Sequence, residues 1–179
     1  DHDALLGGDG DDTLSDYAGN NVMDGGSGND TLEGGRTVIA DIGDAYSDLL
    51  NGGEGNDLRS GGAGVDTYVM SGAFGHDTIL ADGTDNGDYS DSSNSRDKVV
   101  FLGLLRDQVT VERSGNNLVL SYGAGNSVEI QAWGNGESYA LKTFGFADGN
   151  WVLGEDLQWQ AVSVGNEFSD LVGTEGIDS

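Results

Sequence analysis

The residues of this chain best able to do chemistry are aspartates, which recur at a fixed spacing beside pairs of glycines. The segment GGDGDDTL from Gly7 is closely repeated as GGSGNDTL from Gly25. GGEGND follows from Gly52, and GGAGVDTY follows from Gly61. Because the four starts differ by multiples of nine, one nonapeptide frame runs unbroken through them. A carboxylate that recurs at one position of a repeating turn is a candidate ligand for a hard cation.

The strongly negative charge of the chain also favours a bound cation. The chain holds 32 Asp and Glu against 7 Lys and Arg, which is a formal charge of −25. Residues 1–97 carry 21 of the acids and 3 of the bases. This half should repel itself and stay disordered unless it binds a multivalent cation, or it is a solvated acidic linker. Several intact copies in one register favour the cation, because a random acidic linker has no reason to keep a frame.

The composition excludes several classes of function. A charge this negative argues against binding nucleic acid or an anionic membrane surface. The chain has no cysteine, so it has no disulfide, zinc–thiolate site or thiol nucleophile. No apolar run is long enough to span a membrane. The two histidines, His2 and His76, lie far apart, and no Ser–His–Asp arrangement or phosphate loop is present. We therefore predict that the chain is not itself an enzyme.

The repeat GGxGxDxUx, in which U is a large apolar residue, resembles the calcium-binding nonapeptide of the RTX (repeats-in-toxin) family. The resemblance implies a parallel β-roll in which two nonapeptides form one coil and calcium ions lie between stacked turns. Glycines permit the tight turn and the close approach of carbonyl oxygens, and the aspartate adds a carboxylate oxygen. The implied cofactor is several Ca²⁺ ions, with metal-site residues at Gly8, Gly10, Asp12, Gly25, Gly26, Ser27, Gly28, Asp30, Asp48, Gly53, Gly55, Asp57, Gly61, Gly62, Ala63, Gly64, Asp66, Gly75 and Asp77.

In such a roll residues 18 apart stack at the strand spacing, which divides the nonapeptides between two faces. One predicted face has an aspartate at each position six, namely Asp12, Asp30, Asp48 and Asp66. The other predicted face looks broken, because its position-six residues are Asp3, Asn21, Ile39 and Asp57.

Two details of the repeat depart from the ideal pattern. The segment Arg36–Tyr46 lacks the glycines of the repeat, and we interpret it as a looped-out insertion whose length preserves the frame. Arg59 falls at an inward position of a strand, where it would stack on Asp41 in a regular roll, and a buried ion pair between the two would be poor for stability. A local slip that turns Leu58 inward is therefore the preferred interpretation.

The roll is expected to end near residue 79. The segment GHDTI from Gly75 resembles the step that often ends RTX blocks, and we expect Asp77 to close a site with Asp57, 20 residues earlier. The polar segment that follows holds four aspartates at a spacing that could bind another ion. A solvated acidic loop is the preferred interpretation, because glycine pairs are absent around Asp82, Asp85, Asp88 and Asp91.

From Lys98 the pattern changes to alternating apolar and polar residues, which predicts antiparallel strands. The expected strands are Lys98–Leu105, Gln108–Ser114, Leu118–Tyr122, Ser127–Trp133, Tyr139–Phe146 and Trp151–Leu153. Asp97–Phe101 and Phe146–Gly149 resemble segments of the flank that follows RTX blocks. We expect this flank to cover the last coil with an apolar cap, rather than to present its tryptophans as a sugar-stacking platform.

The sequence thus predicts an all-β protein, a parallel β-roll of calcium-binding nonapeptides followed by an antiparallel β capping region. The predicted segments are the roll at 1–79, an acidic loop at 80–97, the capping flank at 98–160, and a linker with the start of a further repeat at 161–179.

The resemblance also implies a function. It points to a calcium-binding module of a large bacterial protein, a toxin or an adhesin, which type I secretion machinery exports to the cell surface or the exterior. We expect the module to be disordered without calcium and to fold on binding it. Two alternatives stay open: an adhesin module that binds a host-surface glycan or receptor, and a C-terminal secretion or folding module of an extracellular enzyme such as a lipase, protease or epimerase.

Overall fold

Two seven-stranded sheets make up the computed structural model, which describes residues 2–35, 47–62, 64–80, 97–123, 125–131, 141, 143–149 and 151–153. Sheet A contains, in spatial order, β1 (Ala4–Asp9), β3 (Val22–Ser27), β5 (Leu49–Glu54), β7 (Thr67–Ser71), β9 (Lys98–Leu102), β13 (Thr143–Gly145) and β14 (Trp151–Leu153). Sheet B contains β2 (Thr13–Ser15), β4 (Thr31–Gly35), β6 (Leu58–Gly62), β8 (His76–Leu80), β12 (Asn126–Gln131), β11 (Asn117–Tyr122) and β10 (Val109–Ser114). A 3₁₀ turn covers Arg106–Gln108.

Successive strands from β1 to β9 alternate between the two sheets, so the chain winds as a roll. In sheet A, Leu5 pairs in parallel with Met23, and in sheet B, Leu14 pairs with Leu32. Both intervals are 18 residues, so two nonapeptides make one coil. The residue at position eight, which is apolar except for Arg59, points inward from each short strand, and the glycine-rich turns connect the two sheets. This confirms the predicted all-β roll.

The stacking interval rises from 18 to 27 residues at one coil. Met23 of β3 pairs with Leu50 of β5, and Leu32 of β4 pairs with Arg59 of β6. The turn that begins at Gly34 therefore contains nine more residues than its neighbours. This register agrees with an insertion that preserves the frame, and residues 36–46 themselves lie outside the described residues.

The predicted division of the repeats between two faces is wrong beyond this insertion. Because the nine extra residues lie within one turn, Asp48 takes position six instead of Ile39, and every later nonapeptide changes sides. Hydrogen bonds between successive turns define the observed stacks. One stack, the first ladder, consists of Asp12, Asp30, Asp57 and Asp77. The other, the second ladder, consists of Asp3, Asn21, Asp48, Asp66 and Asp97.

The core of the roll is a row of inward side chains from each sheet, to which the last coil adds Met70 and Phe74. Both rows are buried from the second coil onwards, with Met23, Leu50, Tyr68 and Val99 in sheet A and Leu32, Arg59 and Ile79 in sheet B. The expected slip of β6 is therefore wrong, because Arg59 is fully buried whereas Leu58 is 37% exposed. The Leu58 N–H donates to Asp30 O (2.8 Å), which keeps β6 in the register of the other coils.

The flank continues both sheets of the roll. Strand β9 pairs in parallel with β7, and β12 pairs in parallel with β8, so parallel pairing extends past residue 79. Strands β10, β11 and β12 form the expected antiparallel meander, and β13 and β14 form the expected hairpin. Phe101 and Phe146 stack with their ring centroids 5.3 Å apart, within an apolar cluster continuous with that of the roll. The four segment boundaries stay predictions.

No helix in the described part of the chain is long and apolar enough to cross a membrane. Several sequence predictions lie outside the described residues. They are the aspartates of the acidic loop, the side chains of Trp133 and Trp159, and the further repeat at 161–179.

Candidate metal centres in the turns

The aspartates of the first ladder are held in register by the backbone of neighbouring coils. The Asp12 N–H donates to Asp30 Oδ1 (2.8 Å), and the Asp30 N–H donates to Asp57 Oδ1 (2.9 Å). The Asp57 N–H donates in turn to Asp77 Oδ1 (3.0 Å). The structure thus brings Asp57 and Asp77 together across an interval of 20 residues. Along most of the ladder, each carboxylate uses one oxygen to fasten the coil before it.

The second oxygen of these carboxylates indicates a cation site. Oδ2 of Asp12, Asp30 and Asp57 is buried and has no hydrogen-bond partner. A Cβ placed on Gly25, the first residue of its turn, would collide with Asp30 Oδ2, and the first glycines of the stacked turns on either side are crowded in the same way. A buried carboxylate oxygen without a partner is costly in free energy. The turns therefore fit a bound cation, which would supply the missing partner.

Backbone carbonyls crowd the same turns. Gly26 and Gly53 have positive φ angles of 104° and 99°, in the left-handed region that glycine adopts without strain. A Cβ on Gly26 would overlap Gly8 O, and a Cβ on Gly53 would overlap Gly26 O. Within the described residues, no three His, Cys, Asp or Glu side chains cluster as a metal site. An ion bound here would thus take most of its ligands from carbonyl oxygens, a donor set that suits calcium.

The second ladder has the same backbone contacts but one uncharged rung. The Asn21 N–H donates to Asp48 Oδ1 (2.7 Å), and Asn21 Oδ1 accepts from the Asp3 N–H (3.1 Å). The remaining group of this side chain, Asn21 Nδ2, is buried without a hydrogen-bond partner. The turn at residues 16–21, DYAGNN, also lacks the glycine pair. Because an amide brings no negative charge, this rung is the least suited to a cation.

Burial makes the position-six carboxylates costly to keep ionised. It raises the pKa of Asp48 and Asp57 above the ordinary 3.8, while hydrogen bonds from the backbone of Asn21 and Asp30 oppose the shift. A cation in the turns would relieve this cost, because it attracts the ionised form.

A guanidinium lies inside the roll at the last rung of the first ladder. Arg59 Nη2 is 2.6 Å from Asp77 Oδ2, and both side chains are fully buried. Arg59 Nη1 donates to Val69 O (2.9 Å), and Nη2 lies 3.2 Å from Met70 Sδ. Burial raises the pKa of Asp77 and lowers that of Arg59, and the attraction between the two groups opposes both shifts. Asp77 Oδ2 is thus partnered, unlike Asp57 Oδ2.

The sequence-predicted site residues lie in or beside these stacked turns, except Ala63, which is outside the described residues. Their role as ligands stays a prediction. Sequence reasoning missed two groups of residues. The first comprises the leading glycines Gly7, Gly34 and Gly52, which face a carboxylate oxygen. The second is Asp97, whose Oδ1 accepts from the Asp66 N–H (2.6 Å). The signal for Asp97 is the segment Asp97–Phe101, which places an aspartate two residues before the inward Val99.

Comparisons with known proteins place the repeats in a family. Residues 2–36 and 42–68 match the RTX calcium-binding nonapeptide repeat, in four copies. No curated protein matches the chain. An extracellular lipase of Serratia marcescens is 31% identical with a TM-score of 0.49, and the match covers 71% of this chain and 18% of the lipase. A subunit of the mannuronan C5-epimerase of Azotobacter vinelandii is 26% identical with a TM-score of 0.47, and the match covers 97% of this chain and 92% of that subunit. Residues 2–36 and 42–68 of this chain are therefore RTX calcium-binding nonapeptide repeats.

Proposed function

We propose that the chain is a calcium-dependent folding module of a larger exported protein. The observation that carries this proposal is the row of buried carboxylate oxygens without hydrogen-bond partners at Asp12, Asp30 and Asp57. They recur at one position of successive turns, each over a glycine and among backbone carbonyls. A solvated acidic linker would have no reason to bury them in register.

The ligands of each ion would come from two stacked turns. In the first ladder, the turns of Asp12, Asp30 and Asp57 each contribute the unpartnered Oδ2 of that aspartate together with backbone carbonyls of the glycine-rich segment. Calcium accepts six to eight oxygen ligands in irregular geometry, whereas magnesium demands small octahedral sites and loses its water reluctantly. A site built largely from carbonyl oxygens therefore favours calcium over magnesium.

Charge repulsion makes folding of the roll depend on these ions. Residues 1–97 hold 21 acids and 3 bases, and the second coil buries only Met23 and Leu32 as large side chains. Without cations, the repulsion between carboxylates opposes the stacking of coils. A site that binds only the folded state contributes about 2.7 kcal/mol when calcium is at 100 times its dissociation constant. Several sites along one roll therefore couple into a steep response to calcium.

This response suits a protein that folds after export. Extracellular modules bind calcium at roughly 10⁻⁴–10⁻³ M, far above the concentrations to which cytosolic sensors are tuned. The chain would stay unfolded inside the cell, pass through the type I secretion machinery as part of its parent protein, and fold outside. The absence of cysteine and proline supports this route, because no disulfide must form and no prolyl isomerisation delays folding. A toxin or adhesin parent, an enzyme parent and glycan recognition by the flank stay predictions.

A calcium titration followed by circular dichroism tests the proposal. In excess chelator the full chain should lack the part of its β signal that comes from the roll, and calcium should restore that part over a narrow concentration range. Magnesium at the same concentrations is the control and should restore little. A chain that shows its full β signal in chelator would contradict the proposal.

A further inference from the structure

The last rung of the first ladder differs from the three before it in what its carboxylate contacts. Asp77 fastens the preceding coil through Oδ1 as the other aspartates do. Its Oδ2, however, accepts a hydrogen bond from Arg59 Nη2 at 2.6 Å. On the other rungs the corresponding oxygen is buried without a partner. A positive charge therefore already lies where those rungs lack one.

The last turn also lacks the crowding around the carboxylate that the earlier turns share. Its first residue, Gly72, is open, because a Cβ there would meet nothing within 4 Å. Ala73 stands in place of the second glycine. Phe74 at position three is 1% exposed and lies 4.7 Å from the Tyr122 ring, centroid to centroid. The matching residues of the earlier turns are exposed polar side chains, namely Asp9, Ser27 and Glu54. The last turn thus differs at its first three positions, where an aromatic side chain fills it, although Gly75 at position four is still crowded against Gly55 O.

The guanidinium is held in place by the core around it. Arg59 occupies the inward position of β6 between Leu32 and Ile79, and it is fully buried. Val69 O and Met70 Sδ accept from its two terminal nitrogens. An apolar side chain at this position would have continued the row, so the charge is there at a cost. That cost is offset when the guanidinium neutralises a carboxylate that must lie in the ladder.

We propose that Arg59 takes the place of a calcium ion at the last turn of the first ladder. Asp77 is then the anchor of an internal cation and not a calcium ligand, which departs from the sequence prediction of a site between Asp57 and Asp77. That turn consequently forms without calcium. Because β12 pairs with β8, the turn joins the flank into a calcium-independent base on which the calcium-binding turns stack. The inference rests on the proposed function, since it presumes that other turns bind calcium.

Counting bound ions tests the inference. Isothermal titration calorimetry on the full chain would compare the wild type with the double variant Arg59→Met/Asp77→Asn, which removes both charges of the pair. We expect the double variant to bind as many calcium ions as the wild type. The matched control Asp30→Asn should bind at least one ion fewer. Loss of an ion in the double variant would overturn the inference, whereas a wild type that binds no calcium would overturn the proposed function.

A second measurement separates the charge of Arg59 from its packing. Arg59→Met alone leaves Asp77 buried without a cation, so it should raise the calcium concentration at half-folding by about threefold or more. The double variant should return that concentration to within about twofold of the wild type, because replacing both partners of a buried pair is often neutral. A single variant that folds at the wild-type calcium concentration would show that Asp77 does not need Arg59.

Discussion

The roll and the flank of this protein share their sheets but not their source of stability. The second coil of the roll buries one large side chain from each sheet, Met23 and Leu32, and the turn between them consists of glycine and polar residues. The flank packs several apolar side chains from each strand pair. Its fully or almost fully buried side chains include Val109, Val111, Leu118, Leu120, Val128, Ile130 and Phe144. The flank can therefore bury a core without ions, whereas the roll depends on its neighbours and its turns.

The shared sheets explain how the two regions act together. Strand β9 adds to β7 in sheet A, and β12 adds to β8 in sheet B, so the flank is a ready neighbour for the last coil. In a quasi-one-dimensional array each unit is stabilised mainly by an adjacent unit that has already formed. We therefore expect folding to start at the flank and to run back through the roll as calcium rises.

Removal of the flank should have the largest effect on the calcium concentration at which the roll folds. A truncated chain of residues 1–96 lacks the flank and its apolar core, so its first coil must form without a neighbour. It should need much more calcium than the full chain to gain its β signal in circular dichroism, or should not fold at all. If it folds at the same calcium concentration as the full chain, the flank has no role in starting the roll.

Substitutions on the two ladders should have a smaller and more local effect. Asp30→Ala removes a buried carboxylate from the middle of the first ladder, so calcium affinity measured by calorimetry should fall by about tenfold or more, since interactions with a charged group contribute about 1.5–3 kcal/mol.

The matched substitution is Asn21→Ala on the uncharged rung of the second ladder. It removes a hydrogen-bond acceptor for the Asp3 N–H but no ligand charge, so calcium affinity should change little. Comparable losses of affinity in the two variants would mean that the Asp30 and Asn21 rungs do not differ in calcium binding.

Acidification should have the smallest effect on the stability of the roll. It should stabilise the roll without calcium and destabilise the roll with calcium. In the calcium-free folded roll, burial raises the pKa of Asp48 and Asp57 above 3.8, so protonation favours the folded state. Their contribution to stability is complete below pH 3.8 and is lost as the pH rises through the raised values.

Circular dichroism in chelator should therefore show some gain of β signal as the pH falls from neutral towards about 4. This is the range over which buried carboxyls titrate. With calcium present the same acidification should weaken the roll, because protons compete with the ion for the carboxylates. A β signal that falls with acid under both conditions would contradict this assignment.

The nonapeptide frame by itself determined the fold class and most of the candidate site. Its glycines can form tight turns, and its position-six aspartates recur beside them. The residue two places later is apolar in most repeats. Each nonapeptide therefore predicts the same turn and short strand from its own residues. Period-two alternation after Lys98 likewise predicted the flank strands, apart from their ends. The physical reason is that turns and strand faces depend on residues close together in the chain.

Which coil stacks on which was decided only by the tertiary structure. An insertion of nine residues leaves the frame intact, so the sequence alone cannot tell whether Ile39 or Asp48 follows Asn21 in its ladder. Pairing with both neighbouring coils settles it, because stacking hydrogen bonds join residues 18, 20, 27 or 31 positions apart. Arg59 is the same kind of case. The hydrogen bonds of its guanidinium to Asp77 and to Val69 O across the roll offset the cost of its burial. The residues next to Arg59 in the sequence do not indicate these partners.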